Sequence, residues 1–407
     1  MKKIVLTTLV AAITCMSYGQ KSEVNTAYNA YQNGYLDKAK TAIDKAVLND
    51  FTKTEARTWM YCGNIYIRLA DANNNEKSSD RAFKGLCSNC TEIAFEAYRK
   101  AFELDPDITV SNMGISTPKQ GLGFCAHYLY EDAFQKYQDK QFEDAFLLAE
   151  KAHKADGTKT YITTFYAMMA EMTERTDVAK TTFNSIVTQD VKDVKAVEKD
   201  PEKLKKLRKS RSLAPYLHLV NIYKTENDTT NVLRVLDAGA SIFFSDDTIY
   251  ADFATAYSIG LSWAGKSERA SEVMNKALSM YPDNYVLLVN YGSALNNAEK
   301  YDEAEKYFKR AVELQPNEMI TVYNLGSCYY NNYLKRIKAL SNVDDDDLYK
   351  QGKEEAEKLL AQAQPHLEKS HQLDPKDKYT LLMLKQVYAN LGKTEELKAV
   401  EEKLGAL

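Results

Sequence analysis

The stretch that decides the fold reads SERASEVMNKALSMYPDN over residues 267–284 and YDEAEKYFKRAVELQPNE over residues 301–318. The two segments align without a gap at a spacing of 34 residues, and each carries two fixed alanines and a proline near its end. The matched positions are Ala270 and Ala304, Ala277 and Ala311, and Pro282 and Pro316. This period predicts a repeat made of two helices joined by a tight turn.

The same pattern recurs in less complete form elsewhere. One first helix reads W-x2-C-G-x2-Y over residues 59–66, and another reads V-x2-L-G-x2-Y over residues 322–329. With these motifs the sequence resembles the tetratricopeptide repeat (TPR) family, in particular the exported proteins of Gram-negative bacteria. The resemblance implies an all-α helix-turn-helix solenoid, wound as a right-handed superhelix of about nine repeats.

Residues 20–407 are predicted to form a single solenoid with two inserts, at about residues 70–90 and 332–358, and a charged linker over residues 190–212. The linker carries nine Lys or Arg against five Asp or Glu. We interpret it as a solvated helical extension, with a basic docking site for anionic partners as the alternative. Because each repeat buries its apolar face against its neighbours, one elongated domain of this length is feasible.

Residues 1–19 have the pattern of a signal peptide. Two lysines precede an uncharged apolar run over residues 4–13, and a small-x-small cleavage site follows at residues 17–19. The sequence therefore predicts export to the periplasm or cell envelope of a Gram-negative bacterium, with no transmembrane segment in the mature chain. The alternatives are a buried helix of the fold and a lipidated Cys15, which is disfavoured because threonine precedes it.

The formal net charge is −4, and removing the two N-terminal lysines changes it to −6. The chain has no overall positive charge that would attract nucleic acid, so we expect protein or peptide partners and no nucleic acid. The oligomeric state is left open.

Five of the six cysteines lie beyond the predicted cleavage site. An odd number in an oxidising compartment predicts at least one free or intermolecular thiol. Cys87 and Cys90 form a C-x2-C motif, which we interpret as a structural disulfide in an exported protein. A bridge from one of them to Cys125, reduced thiols, and redox or metal chemistry are the alternatives; no second pair of ligands completes a zinc site.

Enzymatic chemistry finds little support. There is no phosphate-binding glycine loop, no G-x-S-x-G motif and no H-E-x-x-H motif. The acidic run at residues 344–347 lacks the ligand spacing of a calcium loop and is interpreted as a helix N-terminus. We therefore expect neither an enzyme nor a cofactor or metal.

The TPR resemblance implies that each first helix lines an inner groove at its second, fifth, ninth, twelfth and thirteenth positions. Asparagine, tyrosine and other aromatic residues occupy many of these positions, whereas lysine and arginine occupy very few. Such side chains suit peptide or glycan recognition, although packing between repeats would explain some of them equally. The candidate groove residues are Tyr28, Tyr31, Asn64, Arg68, Tyr130, Phe134, Tyr137, Trp263, Asn297, Tyr323, Tyr330 and Asn331.

These observations predict an exported TPR scaffold that binds other proteins or peptides in the cell envelope. The alternative is a cell-surface protein that binds glycans through the aromatic groove. Tyr323 and Tyr330 are the sharpest candidates, because by spacing alone the core of their helix is complete without them.

Overall fold

The computed structural model describes residues 22–244 and 251–406, and within these ranges the chain is helical and contains no β-strand. The predicted all-α fold is therefore confirmed. In chain order the helices of these two ranges form nine pairs and one additional helix, which agrees with the predicted number of repeats. The chain divides into two compact units, one ending at Ile186 and the other starting at Val187.

The first unit packs its helices in pairs, α3 with α4 and α5 with α6, and each pair contacts the next. The helices, the last of which crosses the unit boundary, are α1 (22–32), α2 (Leu36–Ala46), α3 (Ala56–Asn74), α4 (Cys90–Leu104), α5 (Pro118–Gln138), α6 (Phe142–Ala155), α7 (Thr160–Met172) and α8 (Thr176–Val197).

The second unit starts with one additional helix and continues with five pairs. Within it the first helices of successive pairs also touch one another, α12 with α14, α14 with α16 and α16 with α18. The helices are α9 (Pro201–Lys209), α10 (Ala214–Thr225), α11 (Thr229–Phe243), α12 (Ala251–Trp263), α13 (Ser267–Met280), α14 (Tyr285–Asn297), α15 (Tyr301–Leu314), α16 (Met319–Leu340), α17 (Asp346–Leu373), α18 (Lys378–Leu391) and α19 (Thr394–Gly405).

The repeated small residues and prolines have the structural roles that the period predicts. Ala270, Ala277, Ala304 and Ala311 are all buried between helices. Pro282 and Pro316 each lie two residues beyond the end of a second helix, where a residue without an N–H ends the helix cleanly. The 34-residue pattern thus determines both the packing surface and the end of each helix pair.

Close approach of helices in the first unit depends on glycines that face the ring of Tyr98. This ring is fully buried between α3 and α5. A Cβ atom at Gly63 would lie 2.5 Å from the ring, and one at Gly121 would lie closer still. Any side chain there would overlap the ring, so both glycines are required by packing.

We predict that Gly121→Ala lowers the free energy of unfolding by about 1–3 kcal/mol, because the added methyl group overpacks the Tyr98 ring. Gly123→Ala on the same helix is the matched control, since a Cβ atom there has open space around it. The control should be neutral or stabilising by up to about 1 kcal/mol, because alanine favours the helix. Chemical unfolding followed by far-UV circular dichroism measures both. Equal midpoints for the two variants would contradict this packing.

The segment predicted as the first insert joins α3 to α4 and includes a short 3-10 helix at Arg81–Phe83. Two side chains of α3 hold it. Arg68 forms a bidentate ion pair with Asp80, with N–O distances of 2.7 and 2.6 Å. Asn73 accepts a hydrogen bond from Gly85 N at 2.9 Å and donates one to Cys87 O at 2.7 Å. Side chains of α3 therefore fix the position of this connecting segment.

The segment predicted as the second insert is almost entirely helical. It lengthens α16 to 22 residues and α17 to 28, compared with 13 and 14 for α14 and α15. The charged segment 190–212 is likewise helical at the end of α8 and in α9. Within it, Asp190 is buried, accepts a hydrogen bond from Tyr216 Oη at 3.0 Å and pairs with Arg211 at 3.1 Å.

No helix within the two described ranges is long and apolar enough to cross a membrane. The predicted signal peptide at residues 1–19 and Cys15 lie outside the described residues.

Candidate functional site

The first two predicted groove helices are occupied by the chain's own loop between α4 and α5. Tyr31 Oη donates a hydrogen bond to Met113 O at 2.8 Å. Asn64 is fully buried, donates to Ile115 O at 3.2 Å and accepts from Ile115 N at 3.3 Å. These groove positions do bind a backbone segment, but that segment is a turn of the same chain, with positive φ angles at Asn112 and Gly114.

The expectation that Tyr31, Asn64 and Arg68 face a partner is therefore corrected. The Arg68 guanidinium is engaged by Asp80 and lies 4.7 Å from the centroid of the Tyr31 ring. Tyr28 is half-buried and stacks on Tyr61, with the ring centroids 5.3 Å apart. The loop binds Tyr31 and Asn64 and the insert binds Arg68, contacts that periodicity could not predict, whereas Tyr28 packs on the neighbouring repeat helix α3.

The next predicted residues converge on a surface that we call the aromatic face. It is centred on the buried ring of Phe165, which Tyr130 meets edge-on at 5.3 Å, while Phe134 and Tyr137 each lie 6.0 Å away. Tyr161 meets Tyr130 edge-on at 5.0 Å. The aromatic face consists of Tyr130, Phe134, Tyr137, Phe142, Tyr161 and Phe165.

Two rings of the aromatic face remain accessible to solvent. Phe134 is 37% exposed and Tyr161 is 48% exposed, and Phe124 on the same helix as Phe134 is also exposed. Exposed aromatic rings supported by a buried ring form a rigid apolar surface, which is typical of binding sites. Tyr130, Tyr137 and Phe142 are half-buried, and with the buried Phe165 they support the accessible rings.

Carboxylates border the aromatic face. Burial raises the pKa of the Tyr161 phenol, and the negative charges of Asp156 and Glu131 raise it further. Burial and the Glu131 charge likewise raise the pKa of Tyr130. The phenols therefore stay neutral at physiological pH, and the local field favours a positively charged group.

Three members of the aromatic face, Phe142, Tyr161 and Phe165, were not among the predicted groove residues. Tyr161 and Phe165 are four residues apart on α7, so their side chains lie on the same side of this helix. That spacing was the available signal in the sequence.

A cleft of about 950 Å³ opens between α12, α13 and α14 in the second unit, and Asn297 lines it. Several of its polar groups already bond to their own helices: Ser293 Oγ donates to Val289 O at 2.8 Å, and Asn290 Nδ2 donates to Val286 O at 2.9 Å. Trp263 is exposed but is not among the residues that line this cleft. The cleft thus offers fewer unused donors than its composition suggests.

The C-terminal candidates divide by burial. Tyr330 is only 7% exposed and contacts Tyr333, with the ring centroids 6.1 Å apart, so the expectation that it is spare is corrected. Both tyrosines belong to the core of the second unit, and Tyr333 Oη donates a hydrogen bond to Asn390 Oδ1 of α18 at 3.2 Å. Tyr323 and Asn331 are half-buried.

We predict that Tyr330→Ala lowers the free energy of unfolding by about 3 kcal/mol or more, because a large buried ring leaves a cavity. Tyr379→Ala is the control, since Tyr379 is 72% exposed and its removal should change stability by no more than about 0.5 kcal/mol. Urea unfolding of the two variants measures the difference. If Tyr330→Ala unfolded at the wild-type midpoint, its side chain would not belong to the core.

The C-x2-C motif lies where the first insert enters α4. Cys87 and Cys90 form a disulfide with Cα atoms 5.5 Å apart, and Cys90 is the first residue of the helix. Among the other described cysteines, Cys62, Cys125 and Cys328 are free and buried. Burial raises the pKa of Cys328 to about 12, so this thiol stays protonated and unreactive in the folded protein.

We predict that Cys87 and Cys90 in protein recovered from cells resist alkylation in denaturant without reductant, whereas Cys62, Cys125 and Cys328 are labelled. Denaturant is needed because the free thiols are buried when the chain is folded. Peptide mass spectrometry assigns each label. Alkylation of both Cys87 and Cys90 without reductant would contradict the disulfide.

Within the described parts of the chain, no group of three or more His, Cys, Asp or Glu side chains is arranged to hold a metal ion.

Comparison with known families finds the tetratricopeptide repeat over residues 264–327, the region that contains the two aligned segments. This match and the all-α repeat fold support the tetratricopeptide repeat family. No curated protein matches the chain in sequence.

Several solved structures are similar in part, two of them described as TPR proteins. A MamA fragment from Desulfovibrio magneticus RS-1 has 17% identity and a TM-score of 0.34, covering 47% of this chain and 90% of that one. YrrB, described as a TPR protein with an unusual peptide-binding site, has 14% identity and a TM-score of 0.31, covering 72% and 99%. A thermophilic TPR protein from Thermus thermophilus has 15% identity and a TM-score of 0.34, covering 50% and 98%.

Proposed function

We propose that this chain, which contains tetratricopeptide repeats over at least residues 264–327, is a scaffold that binds other proteins. The partner docks as a peptide segment on the aromatic face of the first unit. The observation that carries this proposal is the pair of accessible rings, Phe134 and Tyr161, mounted on the buried ring of Phe165. Rigid aromatic area of this kind supplies most of the free energy of binding in many interfaces.

The chemistry of the surroundings favours a segment that contains lysine or arginine. The electron-rich faces of the exposed rings attract a cation, and the carboxylates of Glu131 and Asp156 act in the same direction. A peptide that presents an apolar or aromatic residue next to a basic one would satisfy both features. Glycan binding remains the alternative, because aromatic rings also stack on sugars.

Export to the bacterial envelope is part of the proposal and is supported by the pattern of residues 1–19. An oxidising compartment would also maintain the Cys87–Cys90 disulfide. The alkylation experiment on protein recovered from cells therefore bears on location as well. Reduced thiols at both positions would argue against export.

The test is selection of binding peptides from a random display library on the purified protein, followed by affinity measurement by fluorescence anisotropy. We predict that selected peptides are enriched in basic and aromatic residues. Replacing Phe134 and Tyr161 by alanine should weaken their binding by about 30-fold or more, the equivalent of about 2 kcal/mol. The thermal midpoint should change little, because both rings are substantially exposed.

The matched control replaces Phe51 and Phe102 by alanine, two exposed rings of the same unit that are not part of the aromatic face. This control should bind the selected peptides as the wild type does. Equal affinity of all three proteins would remove the aromatic face from the proposal. Retention on an oligosaccharide resin that is lost only in the Phe134 and Tyr161 variant would favour the glycan alternative.

A further inference from the structure

The end of α8 and the short helix α9 carry a group of exposed lysines that the proposed function does not use. We call this group the lysine ridge. None of its side chains except that of Lys203 forms an ion pair with another described residue. The ridge consists of Lys192, Lys195, Lys199, Lys203, Lys205, Lys206 and Lys209.

The acidic residues of this segment neutralise only part of the ridge. Asp190 and Asp193 are both engaged by Arg211, and Asp200 caps α9 while pairing with Lys203 at 3.0 Å. Of the segment's five acidic residues, only Glu198 and Glu202 remain without such a partner among the described residues. Seven lysines against Asp200, Glu198 and Glu202 leave a local excess of four positive charges, in a chain whose net charge is −4.

The ridge is mounted on a fixed helix. Leu204 and Leu207 are half-buried on the inner side of α9, and Arg208 on the same side donates a hydrogen bond to Ser241 O of α11 at 3.3 Å. Because successive helical residues are rotated by about 100°, Lys206 and Lys209 lie at the centre of the opposite side. The lysines therefore point away from the protein at defined positions.

The outer side of a single exposed helix is convex, so it cannot enclose a peptide, but it can lie against a broad surface. The ridge contains lysine rather than arginine, and lysine is a compact charge without the planar fork that recognises one carboxylate or phosphate in a fixed geometry. It also contains no aromatic residue on which a nucleic acid base could stack. A dense but unspecific anionic surface fits these properties.

We propose that the lysine ridge adsorbs the protein to an anionic phospholipid membrane surface. Basic clusters on amphipathic helices bind such surfaces through their charges, with each lysine strengthening binding roughly fivefold. No large apolar side chain is exposed along the ridge, so adsorption should be reversible and should weaken as salt screens the charges. This inference concerns the second unit and does not depend on the aromatic face.

The test is co-sedimentation of the full chain with vesicles of phosphatidylcholine alone or of phosphatidylcholine mixed with phosphatidylglycerol. We predict binding to the anionic vesicles above that to the neutral ones, which also measure any contribution from residues 1–19. Replacing Lys203, Lys205, Lys206 and Lys209 by glutamine should weaken anionic binding by about a hundredfold or more. The melting temperature should be unchanged, because α9 contains no fully buried residue.

The control variant replaces four other exposed lysines of the second unit by glutamine, Lys306, Lys350, Lys358 and Lys376, and so has the same net charge. It should bind anionic vesicles as the wild type does. If the ridge variant were destabilised, Lys206→Gln with Lys209→Gln would test the centre of the ridge alone. Equal losses in ridge and control variants, or no preference for anionic vesicles, would overturn the proposal. Binding of polyaspartate or DNA by a protein that ignores the vesicles would also overturn it.

Discussion

The contact on which both units depend is a large side chain of one helix packed directly against a glycine of a neighbouring helix. Tyr98 meets Gly63 and Gly121 in the first unit, and Phe308 meets Gly292 in the second. A Cβ atom at any of these glycines would lie within 3 Å of the ring. A side chain at one of these positions would force the two helices apart, so the glycines set the distance between them. This distance in turn determines where the surface residues of each helix lie.

Because small residues recur with the period of the sequence, as Ala270 and Ala304 do, the fold could be predicted well from residues alone. The paired alanines and the prolines beyond α13 and α15 gave the period, and the same pattern along the chain gave an all-α repeat and the number of helix pairs. Asn64 was predicted to face a partner, and its amide instead bonds to a backbone turn at Ile115. What the period could not reveal is that the backbone belongs to residues 108–116 of the same chain.

The candidate site was predicted less well, for the same physical reason. Segments outside the repeat pattern pack against the repeat helices and occupy their predicted binding residues. The α4–α5 loop binds Tyr31 and Asn64, and the first insert binds Arg68 through Asp80. At Tyr330 a neighbouring tyrosine on the same helix completes the burial. Tyr130, Phe134 and Tyr137 are not covered by such a segment, and their three rings lie around Phe165.

This contrast gives a physical criterion for choosing among the surfaces of the molecule. A groove residue whose polar or aromatic group is already satisfied by its own chain would have to break that contact before binding a partner, and a buried polar group left unpaired costs about 1–3 kcal/mol. Asn64 and Arg68 would incur such a cost, whereas Phe134, Tyr161 and the lysines of α9 are exposed to solvent. Exposed rings gain free energy when covered, and exposed lysines gain it near anions, and among the lysines of α9 only Lys203 has an ion pair to lose. A partner should therefore bind at the aromatic face and the lysine ridge in preference to the inner positions of the first two repeats.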